Sequence, residues 1–308
     1  MPLDFKDEPS VSVVIPAYNA RNYLKESLAS VALQDYAILE VLVIDDCSPE
    51  PIDDIIAEYG ENPYVPTLRL LRHEKNQGLG ASRNTGIKNA RGKYIAFLDH
   101  DDVWKPDHVS NLMRHLSKDN SDLAFCSVIQ FETDTEKSLG LWGPPNNELE
   151  KNFVFSLFKM SFITPSATLI LREKLQEVHG FSIDPAVHMC EDLDLWLRLI
   201  QSGAKISFSS SPTAYYRKHS AAATSRPGYM DYQSAHVRQI HLTNIQAPWF
   251  EKHSIVAAKW WAAFNAFVAN KDFRMDVLSR AFFSSLFAPW EAARGIFHSM
   301  KLLKMRWF

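Results

Sequence analysis

Cysteine is scarce in this 308-residue chain: Cys47, Cys126 and Cys190 are odd in number, far apart and without CxxC spacing. A disulfide framework and a zinc site are thereby excluded, leaving reduced, mostly buried thiols as the expectation. Long apolar runs are missing as well. No stretch approaches the roughly 18 uninterrupted apolar residues of a spanning helix, and the opening MPLDFKDEPS lacks the basic-then-apolar order of a secretory signal, so a cytoplasmic protein is expected. Neither sign of charge dominates: 33 Lys and Arg stand against 36 Asp and Glu, a net −3 that gives no pull toward nucleic acid. No fixed-period repeat is present. What the chain does have is 46% hydrophobic content, enough to bury one large domain or two smaller lobes.

That apolar content is arranged in alternation. VSVVIPA (11–17) is a β-branched run that stops at YNA, where Asn19 is placed to cap a helix with apolar positions Tyr23, Leu24, Leu28 and Val31. LEVLVID (39–45), a helix over 52–59, TLRLLRH (67–73), a helix over 79–90 and KYIAFLD (93–99) repeat the unit. Near-continuous apolar strands alternating with helices predict an α/β fold with a mostly parallel sheet covered on both faces, and such sheets bind ligands at the carboxyl ends of their strands. Three strands end there in polar clusters: PAYN, DDCSP and DHDD. Beyond residue 110 a second lobe is expected, with a strand over 122–131, a break at GLWGPPNNE, the apolar strand SATLILR and the helix EDLDLWLRLIQSG. YYRKHSAAATSRPGYM (215–230) reads as a small-residue loop, and the remainder as helices bounded by Pro248 and Pro289.

The carboxylates in FLDHDDVW repel one another unless a cation sits among them. Spacing of i, i+2 lets Asp99 and Asp101 face one point beyond their strand, with Asp102 beside them. Oxygen-only donors suit Mg²⁺ or Mn²⁺, ions that keep several waters and are shared with substrate phosphates. A single aspartate there would ordinarily cap the helix at KPDHVSNLM or sit in a solvated turn. Three on one strand end, next to Asp45 and Asp46 on another, favour a metal–phosphate site; His100 reads as a spacer. NQGLGASRNTGIKNA (76–90) opens a helix but matches neither G-x-G-x-x-G nor G-x-x-x-x-G-K-[ST]. Gly78 and Gly80 permit a tight entry, and Arg83 one turn later either faces a phosphate or carboxylate or makes a surface salt bridge. In CEDLDLWLRLI (190–200), Leu193, Trp196, Leu197 and Ile200 form an apolar stripe, and Glu191 and Asp192 fall where the helix dipole favours negative charge. The dipole accounts for Glu191 and for Asp194. For Asp192 a general base directed into the cleft between the lobes stays open beside it.

Taken in order, VSVVIPAYNARNYLKESLASV, EVLVIDDCSP, NQGLGASRNTGIKNARGKYIAFLDHDD, EDLDLWLRL and YYRKHSAAATS resemble the family-2 inverting glycosyltransferases of GT-A fold, over residues 10 to 220. The resemblance implies a Rossmann-like mixed, mostly parallel sheet flanked by helices, divided into a nucleotide-sugar-binding lobe (1–110), an acceptor-binding lobe of the same domain (111–220) and a C-terminal helical extension (221–308). It implies a nucleotide diphosphate sugar donor, a UDP-sugar, with Mn²⁺ or Mg²⁺ on the diphosphate, and a carbohydrate or lipid-linked acceptor in cell-surface polysaccharide or glycolipid synthesis. By the same resemblance Pro16, Ala17, Tyr18 and Asn19 meet the nucleotide, Tyr18 stacking on the base, and Asp46 contacts uracil or ribose. Arg83 stands near base and phosphates, and Asp99 and Asp101 are the D-x-D pair, Asp101 binding the metal directly. Asp192 is the general base, and His219 belongs to a basic loop over the diphosphate. A nucleotidyltransferase would need a basic glycine-rich phosphate loop that PAYNARN does not provide. Intact Asp101 and Asp192 argue against a non-catalytic nucleotide-sugar-binding relative. Acceptor contacts are expected from 140–165 and 220–230.

The end of the chain reverses the overall charge. In SRAFFSSLFAPWEAARGIFHSMKLLKMRWF, Arg280, Arg294, Lys301, Lys304 and Arg306 stand against Glu291 alone. On a helix after Pro289, Ile296, Met300, Leu303 and Trp307 gather on one side and Arg294, Lys301 and Lys304 on another. That pattern fits a helix lying in a membrane surface, here the inner face of the cell membrane, or one packed on its own domain or in a homo-oligomer contact.

Overall fold

The computed structural model describes residues 10–60, 67–133, 137–145, 149–219, 228–270, 272 and 274–304. Expectations placed on residues 1–9, on the loop 220–227, on Arg306 and Trp307 and on the side chains of 301–304 lie outside the described residues. Two compact units divide the chain: Met1–Pro145, Phe162–Ile183 and Arg198–His219 form one, and Asn146–Ser161, Asp184–Leu197 and Ser220–Phe308 the other.

The first unit is built on a mixed sheet. β1 (Val11–Ala17), α1 (Leu24–Ala32), β2 (Ile38–Asp45), α2 (Asp53–Gly60), β3 (Thr67–Arg72), α3 (Leu79–Asn89) and β4 (Tyr94–Phe97) follow the alternation predicted from sequence. β5 (Val103–Trp104), α4 (His108–Asp119), β6 (Leu123–Glu132), β7 (Ser138–Trp142), β8 (Thr168–Leu171), α6 (Arg172–Glu177) and β9 (Ile206–Lys218) complete it. The sheet runs β3-β2-β1-β4-β8-β6-β9-β5, with β7 on β6. Pairing is parallel from β3 to β4 and between β6 and β9, and antiparallel where β8, β5 and β7 join. All seven residues of β1 are buried, as a strand covered on both faces must be. Strand order reverses at β1, whose neighbours are β2 and β4, so the polar ends of these three strands share one edge at the position where such sheets form a ligand crevice.

The opposite edge is stapled by Glu40, wholly buried on β2. It accepts from Ser12 Oγ at 2.8 Å, the Arg91 amide at 2.7 Å, and Arg69 and Arg91 side chains at 3.0 Å. Burial alone would push the Glu40 carboxyl up, but these donors outweigh it and hold the group below its ordinary pKa.

Two local expectations are overturned. Asn19 does not cap α1: it sits in the left-handed region at φ 52°, its amide donates to Ser48 Oγ at 3.1 Å, and Tyr23 holds the cap position. The Ala20 carbonyl already accepts from the Tyr23 and Leu24 amides, so the helix starts one turn later. Residues 215–218 are not loop but the end of β9, where Ala214 to Lys218 pair with β6 from Val128 to Glu132. Pairing across 85 or more residues decides this, and no local signal carries it.

The second unit is helical: α5 (Leu149–Lys159), the start of α7 (Glu191–Gln201), α8 (Tyr229–His241), α9 (Trp249–Ala269), α10 (Met275–Ser285) and α11 (Pro289–Lys304). Pro248 precedes α9 and Pro289 opens α11, the boundaries expected from proline chemistry. α9 buries Val256, Trp260, Trp261, Phe264 and Phe267, and α8, α10 and α11 pack on it. Gly295 and Ser299 form the buried face of α11, and a Cβ on Gly295 would overlap the Trp261 ring. Among the described residues no helix is long and apolar enough to cross a membrane. Cys126 and Cys190 are buried thiols, and Cys47 is exposed.

Candidate active site

At the end of β1, Pro16 and Ala17 are buried, and the Ala17 carbonyl accepts from the Asp46 amide at 2.8 Å, tying β1 to the turn after β2. The next side chain, Tyr18, is 49% exposed. Asp46 is buried and organises the glycine-rich segment. Its Oδ1 accepts from the Gln77 amide at 2.9 Å and its Oδ2 from the Gly78 amide at 2.8 Å. Gly78, at φ 87° and ψ 167°, adopts a conformation open only to glycine, and α3 begins immediately after it. His73 lies 2.6 Å from Asp46 through Nδ1 and 2.8 Å from Thr85 Oγ1 through Nε2, linking the turn to the body of α3.

This placement of α3 fixes Arg83. Only 2% exposed, it donates to Asp99 Oδ1 at 2.8 Å, with its guanidinium carbon 5.1 Å from the Phe181 ring centroid. Of the alternatives left open by spacing, a carboxylate partner is the one observed, and the pair is buried on the arginine side instead of standing on the surface.

The DHDD turn is held from three directions. Ser27 Oγ of α1 lies 2.7 Å from the carbonyls of both His100 and Asp102. The Asp99 amide donates to Ser166 Oγ at 3.0 Å, and His100 Nδ1 lies 3.2 Å from the Pro16 carbonyl. From β9, the Arg217 amide donates to Asp102 Oδ1 at 3.0 Å, its Nε to the Asp101 carbonyl at 2.7 Å, and its guanidinium to Glu26 Oε2 at 2.5 Å. Arg217 is itself clamped between the rings of Tyr23 and Phe131, 4.6 and 4.7 Å from their centroids. Two residues on, His219 Nε2 meets Asp101 Oδ2 at 3.0 Å, with its ring 5.1 Å from Tyr23. α4 takes Asp107 at its cap position, so none of the three DHDD aspartates caps that helix.

The aspartates are not equivalent. Asp102 is buried, and burial, reinforced by the charges of Asp101 and Asp99, pushes its pKa well up. Asp99 and Asp101 keep about a fifth of their side-chain surface, at 19% and 21%. Among the described residues no group of three or more His, Cys, Asp or Glu is arranged to hold a metal ion. Two partly exposed oxygen donors fit instead an ion that takes one or two carboxylates and completes its shell with water and phosphate.

Asp192 belongs to the second unit, second residue of α7 and half-buried, with Oδ1 2.7 Å from the Leu193 amide. Its neighbour Asp194 is more than a dipole acid: it is buried against His241 of α8, 2.9 Å from Nε2. Sequence reasoning missed Arg217, Glu26 and His73. A signal existed for Arg217, since a strand continued through YYRKH would put it and His219 on one face.

A mixed sheet of this order, with an aspartate pair at the carboxyl end of a central strand and helices following, is the architecture of the GT-A glycosyltransferases. The family described as Glycosyl transferase family 2 matches residues 12–178, more than half of the chain, and the chain belongs to it. An uncharacterized glycosyltransferase of Rickettsia prowazekii is 31% identical over 222 residues, 70% of this chain and 66% of that protein, so this chain spans just under two thirds of that relative's length. Among solved structures, S. aureus TarS 1-349 in complex with UDP-GlcNAc matches with a TM-score of 0.65 at 18% identity, over 95% of this chain and 90% of that one. The mannosyltransferase PcManGT from Pyrobaculum calidifontis, in complex with GDP-Man and Mn²⁺, matches with a TM-score of 0.63 at 18% identity, over 96% and 87%. At that identity the two structures share the fold.

Proposed function

We propose that the protein is a metal-dependent inverting glycosyltransferase that moves a sugar from a nucleotide diphosphate sugar, a UDP-sugar, to an acceptor hydroxyl. One observation carries the reading: the Arg83 guanidinium on Asp99 and the His219 ring on Asp101 bring nitrogen groups and carboxylates together at the carboxyl end of β4, the combination a diphosphate and its counter-ion require. Residues 1–110 serve the donor, 111–220 the acceptor, and 221–308 form the helical extension. Pro16, Ala17, Tyr18 and Asn19 border the nucleotide, with the exposed Tyr18 ring free to take the face of a base. Asp46 acts at the uracil or ribose edge through the turn it holds. A divalent ion, Mn²⁺ or Mg²⁺, held by Asp101 and Asp99 would neutralise the charge that grows on the departing diphosphate. Arg83 adds fixed positive charge beside it, and His219 closes over the diphosphate. Asp192 removes the acceptor's proton as the hydroxyl attacks in line, and a single displacement with one base inverts the anomeric centre. The acceptor is a carbohydrate or a lipid-linked sugar of cell-surface polysaccharide or glycolipid, met in the cytoplasm at the inner membrane face.

The test is incubation with a panel of nucleotide sugars and Mn²⁺, reading which species is released. Nucleoside diphosphate is expected. With pyrophosphate added, its consumption with release of nucleoside triphosphate and sugar 1-phosphate would make the protein a nucleotidyltransferase, and release of nothing from any donor a binding relative. Asp101→Ala should abolish turnover with the fold intact. Asp192→Asn should bind donor normally and lose transfer ~10²–10⁴-fold, the range for removal of a general base; equal losses of binding and turnover would give Asp192 a structural role.

A further inference from the structure

Exposed apolar side chains crowd the corner where α10 gives way to α11. Phe283 is 70% exposed, Leu286 72%, Phe287 47% and Trp290 81%, all within eight residues. The corner has a defined backbone: the Leu286, Phe287 and Ala288 amides donate to the Phe283, Ser284 and Ser285 carbonyls at 3.2, 3.4 and 3.0 Å, and Pro289 then opens α11. The first turn of α9 joins it. Trp249 packs edge-on against Phe287 with centroids 5.1 Å apart, and Phe250 beside it is exposed. Single exposed apolar residues are ordinary, but a contiguous group this large on a soluble surface marks something it binds. Phe287 touches the first turns of α9 through Trp249 and His253, whereas the buried contacts to the body of α9 are made by Ser285 of α10 and by Gly295 and Ser299 of α11.

Charge identifies the occupant. From residue 279 onward five basic residues stand against Glu291 alone in the sequence, in a chain whose net charge is −3, and the Arg294 side chain stays 79% exposed although its guanidinium lies 3.6 Å from Glu291. A two-fold contact with a second copy would set this patch against itself, facing like charge with like. Anionic lipid headgroups would neutralise it, and Trp and Phe beside cations are the residues that settle at a headgroup boundary.

We propose that the α10–α11 corner, with the first turn of α9, docks the protein on an anionic lipid surface. Phe283, Leu286, Phe287 and Trp290 enter the boundary between headgroups and acyl chains, and Arg294 rests on the headgroups. This moves the membrane contact from the stripe read from sequence, Ile296, Met300, Leu303 and Trp307, to the corner before it. The proposal deepens the membrane part of the proposed function and needs none of its chemistry, so binding alone tests it.

The measurement is flotation of the full chain with vesicles of phosphatidylcholine alone and of equal phosphatidylcholine and phosphatidylglycerol, at low and high salt. Wild-type protein should float with the anionic vesicles at low salt and less at high salt. The double variant Leu286→Ser, Trp290→Ser should lose partition at least ~10-fold, since each side chain buries apolar area only in the bound state. Both side chains are exposed, so its melting temperature should match wild type; Arg294→Glu, further from the apolar group, should weaken binding to anionic vesicles alone. Wild-type protein left in the soluble fraction at low salt overturns the proposal, as does unchanged flotation of the double variant. A wild-type dimer that does not float and that the double substitution dissociates would assign the corner to a second copy.

Discussion

Arg217 is spent entirely on its neighbours, and that makes it informative. Three groups on it hold the Asp101 carbonyl, the Asp102 carboxyl and Glu26, while two aromatic rings grip its guanidinium. Arg217→Met keeps the apolar stem between Tyr23 and Phe131 but gives up both side-chain hydrogen bonds, at about 2 kcal/mol of stability for the buried guanidinium's bond to the Asp101 carbonyl and its bond to the more exposed Glu26. The Asp101 carbonyl then loses its anchor. Donor binding in Mn²⁺ should weaken ~10-fold, equivalent to about 1.4 kcal/mol, with melting still cooperative and Arg217→Lys recovering part of the loss. Donor affinity equal to wild type in Arg217→Met would show that the turn stands without it. The contrast with Asp99, Asp101, Arg83 and His219 explains what the sequence discloses about the site. The first three sit in a cluster at a strand end or early in a helix, where residue type and spacing already speak, whereas His219 is legible only through the family resemblance. Arg217 acts through Glu26, 191 positions away, and His73 through Asp46 and Thr85, contacts that exist only after folding.

Legibility at the level of elements follows the source of each element's stability. β1, β2, β3 and α3 were readable to within a residue or two because apolar runs and glycine punctuation are local. β5, two residues long, and β7, almost wholly exposed, have no such pattern. β9 has no counterpart in the sequence reading, which takes its last residues as loop because they are polar and lead into small ones, while β6 supplies the pairing that makes them strand. α11 shows the same limit on a helix: periodicity marks an apolar stripe, of which Ile296 and Met300 are exposed, but α9 receives the small side of Gly295 and Ser299. Gly295→Val tests that packing. Its Cβ would overlap the Trp261 ring, whose Nε1 is fixed 2.9 Å from Ser285 Oγ, so the ring cannot swing away without breaking that bond. Overpacking of this kind costs about 1–3 kcal/mol. Thermal denaturation should register it, with faster proteolysis between α10 and α11; an unchanged melting temperature would mean that α11 lifts off α9 without penalty.

At the scale of the molecule, acid should weaken the fold through His108, against an opposing contribution from Asp102, whose raised carboxyl favours the folded state once protonated. His108 is buried, stacked on Trp104 with centroids 4.6 Å apart and 2.9 Å from Thr213 Oγ1, and burial lowers its pKa from the ordinary 6.5 to about 3. The folded-state value is depressed, so the stability His108 contributes is complete above pH 6.5 and is lost as pH falls toward 3. By pH 5 the loss is about 2 kcal/mol, from 1.36 kcal/mol per unit over one and a half units. Glu40 adds to it at lower pH, its depressed carboxyl favouring the folded state until it is protonated. Urea unfolding of His108→Phe at pH 7 and pH 5 should show a smaller pH dependence than wild type; equal slopes would remove His108 from the account.

β9 has a further consequence, in the order of synthesis. A ribosome delivers β1, β2, β3 and β4 within the first 97 residues, and their parallel pairings need nothing later. The acidic turn that follows is finished only when residues 217 and 219 emerge, more than a hundred positions on. Until then Asp101 has neither its histidine nor the anchor on its carbonyl. The nascent chain thus gathers the parallel strands early and the acidic turn late, and an interrupted chain ending before Arg217 carries a sheet whose DHDD turn lacks its anchor.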